Sequence, residues 1–195
     1  DNTGKAPIGT RWIDINKGDK VSPEYRSRLV AQEIKRDKRD DLFAATPPLE
    51  AKKILFSVVA CMRSVGQNVK IDFIDVRRAY FHARSRRLVY VKLPAEDDEE
   101  GMCGKLVKAM YGTRDAAQNW EMAYTEFVAE AGFLASRVNP CVFYHPVRQL
   151  RLVVHGDDFT IAGSENELDW FRGQIQGKMD VKFRARLGPD DCDDK

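Results

Sequence analysis

Three aspartates have the residue type and spacing best suited to chemistry: the adjacent pair Asp157 and Asp158, and Asp75 far upstream. The pair lies in LRLVVHGDDFTIAG, residues 150–163, where apolar runs flank His-Gly-Asp-Asp. Adjacent carboxylates repel each other unless a cation lies between them, and carboxylate oxygens are ligands that Mg2+ prefers. The pattern indicates half of a metal site for phosphoryl transfer. The alternative is a solvated turn, because Asp and Gly are ordinary turn residues.

The elements that position these carboxylates are predicted to be strands. The runs Leu152–Val154 and Phe159–Ala162 predict a tight β-hairpin, in which Gly156 can take a positive φ. The alternating stretch Val69–Val76 predicts another strand, with Asp75 near its C-terminal end. The order of elements from this strand onward favours an α+β fold, a split βαβ antiparallel sheet with helices on one face. In that layout the carboxylates converge although 82 residues (157 minus 75) separate them in the sequence.

Two further patterns concern the flanking elements. The segments Gly9–Ile15 and Tyr25–Ala31 predict a hairpin that places Arg26 and Arg28 on one face, where they either meet phosphates or simply lie in solvent. The sequence Ser-Glu-Asn-Glu at residues 164–167 matches a capping box, in which the first serine and the last glutamate close the start of a helix.

Composition narrows the class of protein. The chain has 195 residues with a net charge of +2, so a globally basic nucleic-acid binder is not indicated, although basic residues cluster locally within residues 17–39 and 77–87. No apolar run approaches the roughly 20 residues of a membrane span, and the first residues contain no signal-peptide core. The four cysteines lack the spacing of zinc ligands. We therefore expect an intracellular protein, cytoplasmic or nuclear, that is neither secreted nor bound to a membrane.

Six segments, in this order and spacing, resemble the polymerase domain of Ty1/copia-type retrotransposons, a branch of the reverse transcriptases. The central one is IDVRRAYFHA, an aspartate followed five residues on by an aromatic, which resembles the first catalytic motif of the family. The others are GTRWIDINKGD with YRSRLVAQE, DLFAATPPLEAKKILFSVVA, LVYVKLP, LVKAMYGTRDAAQNW and the double-aspartate segment VVHGDDFTIAG.

The resemblance implies an RNA-directed DNA polymerase that adds deoxynucleotides to a primer 3′-hydroxyl. In that role Asp75, Asp157 and Asp158 hold two Mg2+ ions, with Mn2+ as an alternative metal, and Tyr80 excludes a ribose 2′-hydroxyl. The other residues implied in binding the deoxynucleoside triphosphate are Val76, Arg77, Arg78 and Ala79 through their backbone amides, Tyr111, Gly112, and either Arg26 or Arg28. Those implied for the RNA or DNA template–primer are Arg114, Gln118, His155 and Gly156.

The resemblance also implies how the chain is divided. Residues 1–66 correspond to a fingers-like segment and 67–188 to a reverse-transcriptase-like palm, and we expect residues 189–195 to form a disordered acidic tail. We expect the thumb to be absent from the chain, and integrase and RNase H regions to lie elsewhere in a full Pol polyprotein.

Departures from the family pattern leave alternatives open. His155 and Gly156 stand where the family has Tyr and an apolar residue, which affects efficiency and fidelity more than metal binding. In the template-gripping segment a Pro is lost and Asp115 adds an acid, which is expected to weaken template binding. One alternative is an inactive retroelement remnant that only binds nucleic acid. Another is a palm-fold nucleotidyl cyclase, whose signature turn the Gly-Asp-Asp-Phe sequence partly echoes.

Overall fold

A computed structural model describes residues 6–34, 42 and 44–189. The last residues of the expected acidic tail, from 190 onward, lie outside the described part of the chain. The regular elements in chain order are β1 (Thr10–Asn16), β2 (Tyr25–Ala31), α1 (Leu49–Ser64), β3 (Lys70–Val76), a 3-10 helix (Ala79–His82), β4 (Tyr90–Val91), β5 (Gly104–Lys105), α2 (Ala116–Glu130), β6 (Leu134–Ala135), β7 (Val142–His145), β8 (Leu150–His155), β9 (Asp158–Gly163), α3 (Glu165–Gln176) and β10 (Val181–Leu187).

Contacts among the described residues divide the chain into two units. The first unit is taken from Asp1–Phe43 and Tyr80–Ala123, and the second from Ala44–Ala79 and Tyr124–Lys195. Helix α2 contributes residues 116–123 to the first unit and 124–130 to the second. The predicted division at residue 66 into fingers and palm stays a prediction.

The second unit is built on a six-stranded sheet in the order β10-β3-β9-β8-β7-β6. Every neighbouring pair in it is antiparallel. The predicted strand before Asp75 is confirmed as β3, and the predicted hairpin is confirmed as β8 and β9. β3 lies between β9 and β10, so the strand that ends next to Asp75 is held by ladders on both sides.

Helices cover both faces of this sheet. Leu55 and Val59 of α1 pack on the face formed by Val69, Ile71, Val153 and Ala162. Arg172 of α3 bonds Asp72, whose side chain points to the opposite face from that of Ile71. The prediction of helices on one face is therefore wrong. The physical reason is that β3 alternates apolar residues with the fully buried Lys70 and Asp72, and these charges need polar partners of their own.

Aromatic side chains fill the face that carries α3. The ring of Phe171 lies 6.2 Å from that of Phe127 and 5.6 Å from that of Phe133. The ring of Tyr124 in α2 meets those of Phe143 and Phe159 edge-on, with ring centres 6.3 and 6.0 Å apart. Burying one such ring stabilises the fold by about 1.5–3 kcal/mol, so these aromatics contribute strongly to the packing of this face.

The first unit contains the hairpin of β1 and β2, paired from Thr10 with Ala31 to Asn16 with Tyr25. This confirms the predicted N-terminal hairpin. Its core joins Ala31 to Met110, Val89 and Val91. The end of β2 is also bonded to the chain near residue 111, because the Ala31 N–H donates to the Tyr111 carbonyl at 2.8 Å.

Two local features concern a short strand and the start of a helix. The segment LVYVKLP forms a strand only at Tyr90–Val91, where it pairs with β5. The capping box is not formed, because the Ser164 side chain makes no cap hydrogen bond at the start of α3. Glu167, its expected partner, instead binds Arg148 at 2.6 Å, an ion pair that competes for the same carboxylate. None of the described helices is both long and apolar enough to cross a membrane.

Candidate active site

The double-aspartate hairpin turns over two residues. β8 ends at His155 and β9 begins at Asp158, with Gly156 and Asp157 between them. Gly156 has a φ of +63°, the left-handed conformation that the sequence predicted for it. His155 and Asp158 are paired across the hairpin, and both are exposed, so the turn presents its polar groups to solvent.

Asp75 lies directly opposite Asp158 in the ladder between β3 and β9. Directly opposed residues of an antiparallel pair project to the same face, with Cα atoms about 4.5–5.5 Å apart. Asp157 is anchored next to them, because its carbonyl accepts a 2.8 Å hydrogen bond from the Val76 N–H. The fold thus brings together the strand of Asp75 and the turn of the double aspartate, as the sequence predicted.

A cation that the sequence did not single out lies among these carboxylates. Arg184 of β10 donates from Nη2 to Oδ1 of Asp75 at 2.9 Å. The hydrogen bond and charge of Asp75, followed by the charges of Asp158 and Asp157, hold the pKa of Arg184 above its ordinary value. In the sequence, Arg184 is one of three basic residues that alternate with apolar residues in VKFRARL, a pattern that is also typical of a solvated edge strand.

The chemistry of this donor set fits a hard divalent cation. All three candidate ligands are carboxylates, and oxygen ligands of this kind suit Mg2+. Among residues 6–34, 42 and 44–189, no group of three or more His, Cys, Asp or Glu side chains is arranged to hold a metal ion. The side chain of Asp75 is only 19% exposed and is bonded to Arg184, whereas Asp157 and Asp158 are exposed. The three residues are neighbours, but their assignment as metal ligands stays a prediction.

The backbone after Asp75 is partly committed to other bonds. The N–H of Val76 is bonded to Asp157, and the N–H of Arg77 donates to the Asp180 carbonyl at 2.8 Å. Arg78 has a positive φ of 53°, which turns the chain sharply into the 3-10 helix that starts at Ala79. Of the amides expected to meet a triphosphate, those of Val76 and Arg77 therefore already have acceptors within the second unit.

An aromatic cluster in the first unit contains three of the residues expected to bind a nucleotide. The rings of Tyr80 and Tyr111 lie 4.5 Å apart, and Phe81 meets Tyr111 edge-on at 5.7 Å. The guanidinium of Arg28 lies over the Tyr111 ring at 5.5 Å. Arg26 instead pairs with Glu24 at 3.3 Å, and both side chains of this pair are well exposed. The two arginines, between which the sequence left the choice open, thus differ in their surroundings.

Gly112 follows this cluster at a position where only glycine fits. Its φ is +86°, and a Cβ there would overlap the carbonyl oxygen of Ala31. The carbonyl of Gly112 accepts a 3.3 Å hydrogen bond from the Glu33 N–H, next to the bond that the Ala31 N–H donates to the Tyr111 carbonyl. The segment expected to grip the template is thereby bonded through its backbone to the end of β2.

A partly buried ion cluster extends this connection. Arg87 bonds both carboxylate oxygens of Glu33 and reaches Oδ1 of Asp115 at 2.8 Å. Asn119 donates to the other oxygen of Asp115 at 2.9 Å, and the Arg114 N–H donates to Glu33 at 2.8 Å. The Asp115 side chain is only 5% exposed. The acid that departs from the family pattern is therefore neutralised inside the first unit, and its expected effect on template binding stays a prediction.

The electrostatics of this cluster follow from burial and pairing. Burial raises the pKa of Glu33, but the hydrogen bonds from Arg87 and Arg114 outweigh it, so that the pKa lies below its ordinary value. For Asp115, burial is likewise outweighed by Arg87 and Asn119, and its pKa is lowered. The sequence did not reveal the cluster, because its members are 54 and 28 residues apart.

The remaining residues expected at the template–primer are distributed over both units. Arg114 and Gln118 belong to the segment around the start of α2 in the first unit, and Arg114 is held through its backbone by Glu33. His155 and Gly156 belong to the hairpin of the second unit. Their contacts with nucleic acid stay predictions.

Comparison with known proteins identifies the family. The model of the family described as reverse transcriptase (RNA-dependent DNA polymerase) matches residues 2–188. The chain is 25% identical over 198 residues to the Retrovirus-related Pol polyprotein from transposon TNT 1-94 of Nicotiana tabacum. The aligned region covers 95% of this chain and 14% of that protein. It is 24% identical over 168 residues to each of the Retrovirus-related Pol polyproteins from transposons RE1 and RE2 of Arabidopsis thaliana, covering 83% of this chain and 11% of each relative.

The chain thus spans less than a sixth of the length of these relatives. The match runs through every segment on which the resemblance rests, from the N-terminal hairpin to the double-aspartate turn and β10. Enzymes of this family generally use a divalent metal ion. The chain belongs to the reverse transcriptase family, in its copia-type branch.

Proposed function

We propose that the chain is the part of a copia-type Pol polyprotein that catalyses RNA-directed DNA synthesis. The reaction joins the 3′-oxygen of a primer to the α-phosphorus of a deoxynucleoside triphosphate, and pyrophosphate leaves. The observation that carries the proposal is the direct pairing of Asp75 with Asp158 beside the turn of Asp157. Two strands far apart in the sequence thereby place their acidic residues at one end of one sheet.

Asp75, Asp157 and Asp158 are proposed to hold two Mg2+ ions, or Mn2+ in their place. Ions bound there activate the 3′-hydroxyl and neutralise the triphosphate and the leaving pyrophosphate. The ladder supports this assignment, because it fixes the backbones of Asp75 and Asp158 at a separation that one or two shared ions can bridge.

The nucleotide-binding roles are proposed residue by residue. Tyr80 supports the sugar and excludes a 2′-hydroxyl, and its ring is held by Tyr111. Arg28 is preferred for a phosphate contact because its guanidinium lies over the Tyr111 ring, whereas that of Arg26 pairs with Glu24. For the triphosphate we retain the amides of Arg78 and Ala79, since those of the two preceding residues have acceptors.

The proposed partners are an RNA or DNA template–primer, deoxynucleoside triphosphates and other regions of the Pol polyprotein. Arg114, Gln118, His155 and Gly156 are the residues proposed to meet the template–primer. The nucleotidyl cyclase alternative is not carried further, because the reverse transcriptase family model spans residues 2–188. The cytoplasmic or nuclear location stays a prediction.

The test is primer extension on an RNA template, with the chain extended by its natural downstream sequence and supplied with Mg2+ or Mn2+. Asp157→Asn is expected to reduce extension by about 10²-fold or more, because it removes a charge at the proposed metal site. Asp97→Asn is the matched control, since it changes the same group in an exposed turn of the first unit. An Asp157→Asn protein that extends primers as well as the parent would contradict the metal assignment.

The same assay separates an active polymerase from a remnant. A remnant binds the template–primer but extends it no faster than the Asp157→Asn protein. Tyr80→Ala is expected to increase the use of ribonucleotides, whereas Tyr80→Phe, which keeps the ring, is not. Unchanged selectivity in Tyr80→Ala would count against its proposed role.

A further inference from the structure

The position of Arg184 results from an irregularity in its strand. β10 pairs with β3 in one register up to Phe183 and in a shifted register from Ala185 onward. Arg184 is the extra residue between them, as in a β-bulge, and bulges are known to redirect a side chain next to functional sites. The redirected side chain reaches Asp75 at 2.9 Å.

The carboxylates that Arg184 meets would otherwise repel each other. Asp75 and Asp158 are directly opposed across the β3–β9 ladder, and like charges at such positions destabilise a sheet. Arg184 lies close enough for the charges of Asp158 and Asp157 to act on it as well as that of Asp75. It therefore supplies positive charge where a divalent ion would supply it.

The ion pair between Arg184 and Asp75 is exposed enough to be broken by a competing cation. The side chain of Arg184 is 52% exposed, so water is available to solvate the guanidinium once it leaves Asp75. Ion pairs of such exposure are worth little net free energy, in contrast to the pairs that Arg172 and Arg186 make with the fully buried Asp72 of β3. A dication that binds the same carboxylate oxygens is therefore able to displace this arginine.

We propose that Arg184 is a positioning residue that acts as the resident counter-ion of the catalytic aspartates and is displaced from Asp75 when the divalent metal binds. This inference rests on the proposed function, because it takes the same carboxylates as metal ligands. It has two consequences. Arg184 keeps Asp75 and Asp158 facing each other without metal, and it weakens metal binding by competing for Asp75.

The test measures Mn2+ binding to the 195-residue chain by the paramagnetic resonance signal of free Mn2+, without nucleic acid. Arg184→Gln is expected to bind Mn2+ roughly three- to tenfold more tightly, the range set by losing one exposed ion pair and one nearby positive charge. Arg151→Gln is the matched control. Arg151 lies four residues before His155 on β8, roughly 13 Å along the strand from the turn. Its variant is expected to leave the affinity unchanged.

A second readout separates this role from a merely structural one. In EDTA, Arg184→Gln is expected to melt at a lower temperature than the parent, because Asp75 and Asp158 lose their counter-ion. In saturating Mn2+ the difference is expected to vanish or reverse. A residue that only held β10 in place would lower the melting temperature equally in both conditions. Arg184→Lys, which keeps the charge but loses the guanidinium geometry, is expected to lie between parent and Gln variant in both measurements.

The outcomes distinguish the two proposals. If the parent binds Mn2+, Asp157→Asn weakens that binding and Arg184→Gln leaves it unchanged, the inference is overturned and the metal assignment stands. If neither the parent nor Arg184→Gln binds Mn2+, both the inference and the proposed metal site are overturned. Tighter binding by Arg184→Gln, lost again in the double variant with Asp157→Asn, supports both.

Discussion

The carboxylate of Asp72 offers the most quantitative test of the fold beneath the candidate site. It is completely buried on β3, three residues before Asp75. Arg172 approaches it with Nε and Nη2 at 2.7 and 3.0 Å, and Arg186 with Nε and Nη2 at 2.6 and 2.9 Å. The perturbation is Asp72→Asn, which keeps the shape of the side chain and removes its charge.

The magnitude follows from the number of bonds that the amide cannot accept. An asparagine presents one acceptor oxygen and one NH2 group, so two of the four guanidinium bonds to Asp72 are lost. Hydrogen bonds to charged groups contribute about 1.5–3 kcal/mol each, which gives about 3–6 kcal/mol. Removing one partner of a buried ion pair costs about 3–5 kcal/mol by a separate estimate. We expect Asp72→Asn to lower the free energy of unfolding by about 3–5 kcal/mol.

The assay is urea denaturation followed by circular dichroism, with the slope m fitted for each variant. The expected loss corresponds to a decrease in melting temperature of roughly 6–20 °C for a chain of this size. Asp169→Asn is the matched control, because Asp169 also binds Arg186, at 2.8 Å, but with a side chain that is 58% exposed. Its cost is expected to stay below about 1 kcal/mol.

Equal losses in Asp72→Asn and Asp169→Asn would refute the reasoning, since burial would then not decide the strength of these pairs. A further variant tests the interpretation of the cost. Replacing Asp72 by Leu together with Arg172 and Arg186 by Met removes all the charges at once, and well-packed apolar groups often restore the stability lost with one partner. A triple variant less stable than Asp72→Asn would show that the ion network itself stabilises the sheet.

Two predictions concern the first unit. Gly112→Ala is expected to lower the free energy of unfolding by more than Gly101→Ala does. Both glycines have a positive φ, which costs an alanine about 1–2 kcal/mol, but only at Gly112 would a Cβ also overlap the backbone of β2. Equal losses in urea denaturation would contradict this overlap. The second concerns pH. The pKa values of Glu33 and Asp115 are lowered in the folded state, so their contribution to stability is complete at neutral pH and is lost as the pH falls from about 4.5 and 3.8 through the folded values. Arg87→Gln is therefore expected to destabilise the chain more at pH 7 than at pH 3, and an equal effect at both would argue against the ion cluster.

The hairpin and the strand of Asp75 were predictable because their signals are local. The two apolar runs around Gly156, and the alternation of β3, lie within a few residues of each other, and the family resemblance joined them. The facing of Asp75 and Asp158 followed from that topology.

What escaped prediction depends on partners far away in the sequence. The carboxylate of Asp72 meets arginines 100 and 114 residues later, and the alternation of β3 alone did not show that both of its faces are covered. Arg184 is aimed at Asp75 by a register shift between two strands, which leaves no mark in either strand alone. Very short strands such as β6 contain too few residues for a period to be recognised.

The central place of β3 has a consequence for how the second unit is synthesised. Both of its ladder partners come from later in the chain, and β9 is complete only 87 residues (163 minus 76) after β3 ends. At about 5–20 residues per second, a ribosome needs roughly 4–17 s to cover that distance. During this interval the backbone groups of a strand rich in apolar side chains have no native neighbour, and such edges pair readily with other chains. Slower translation between residues 77 and 163 therefore prolongs the period in which the nascent chain is open to aggregation, and factors that shield nascent strands are expected to raise its soluble yield.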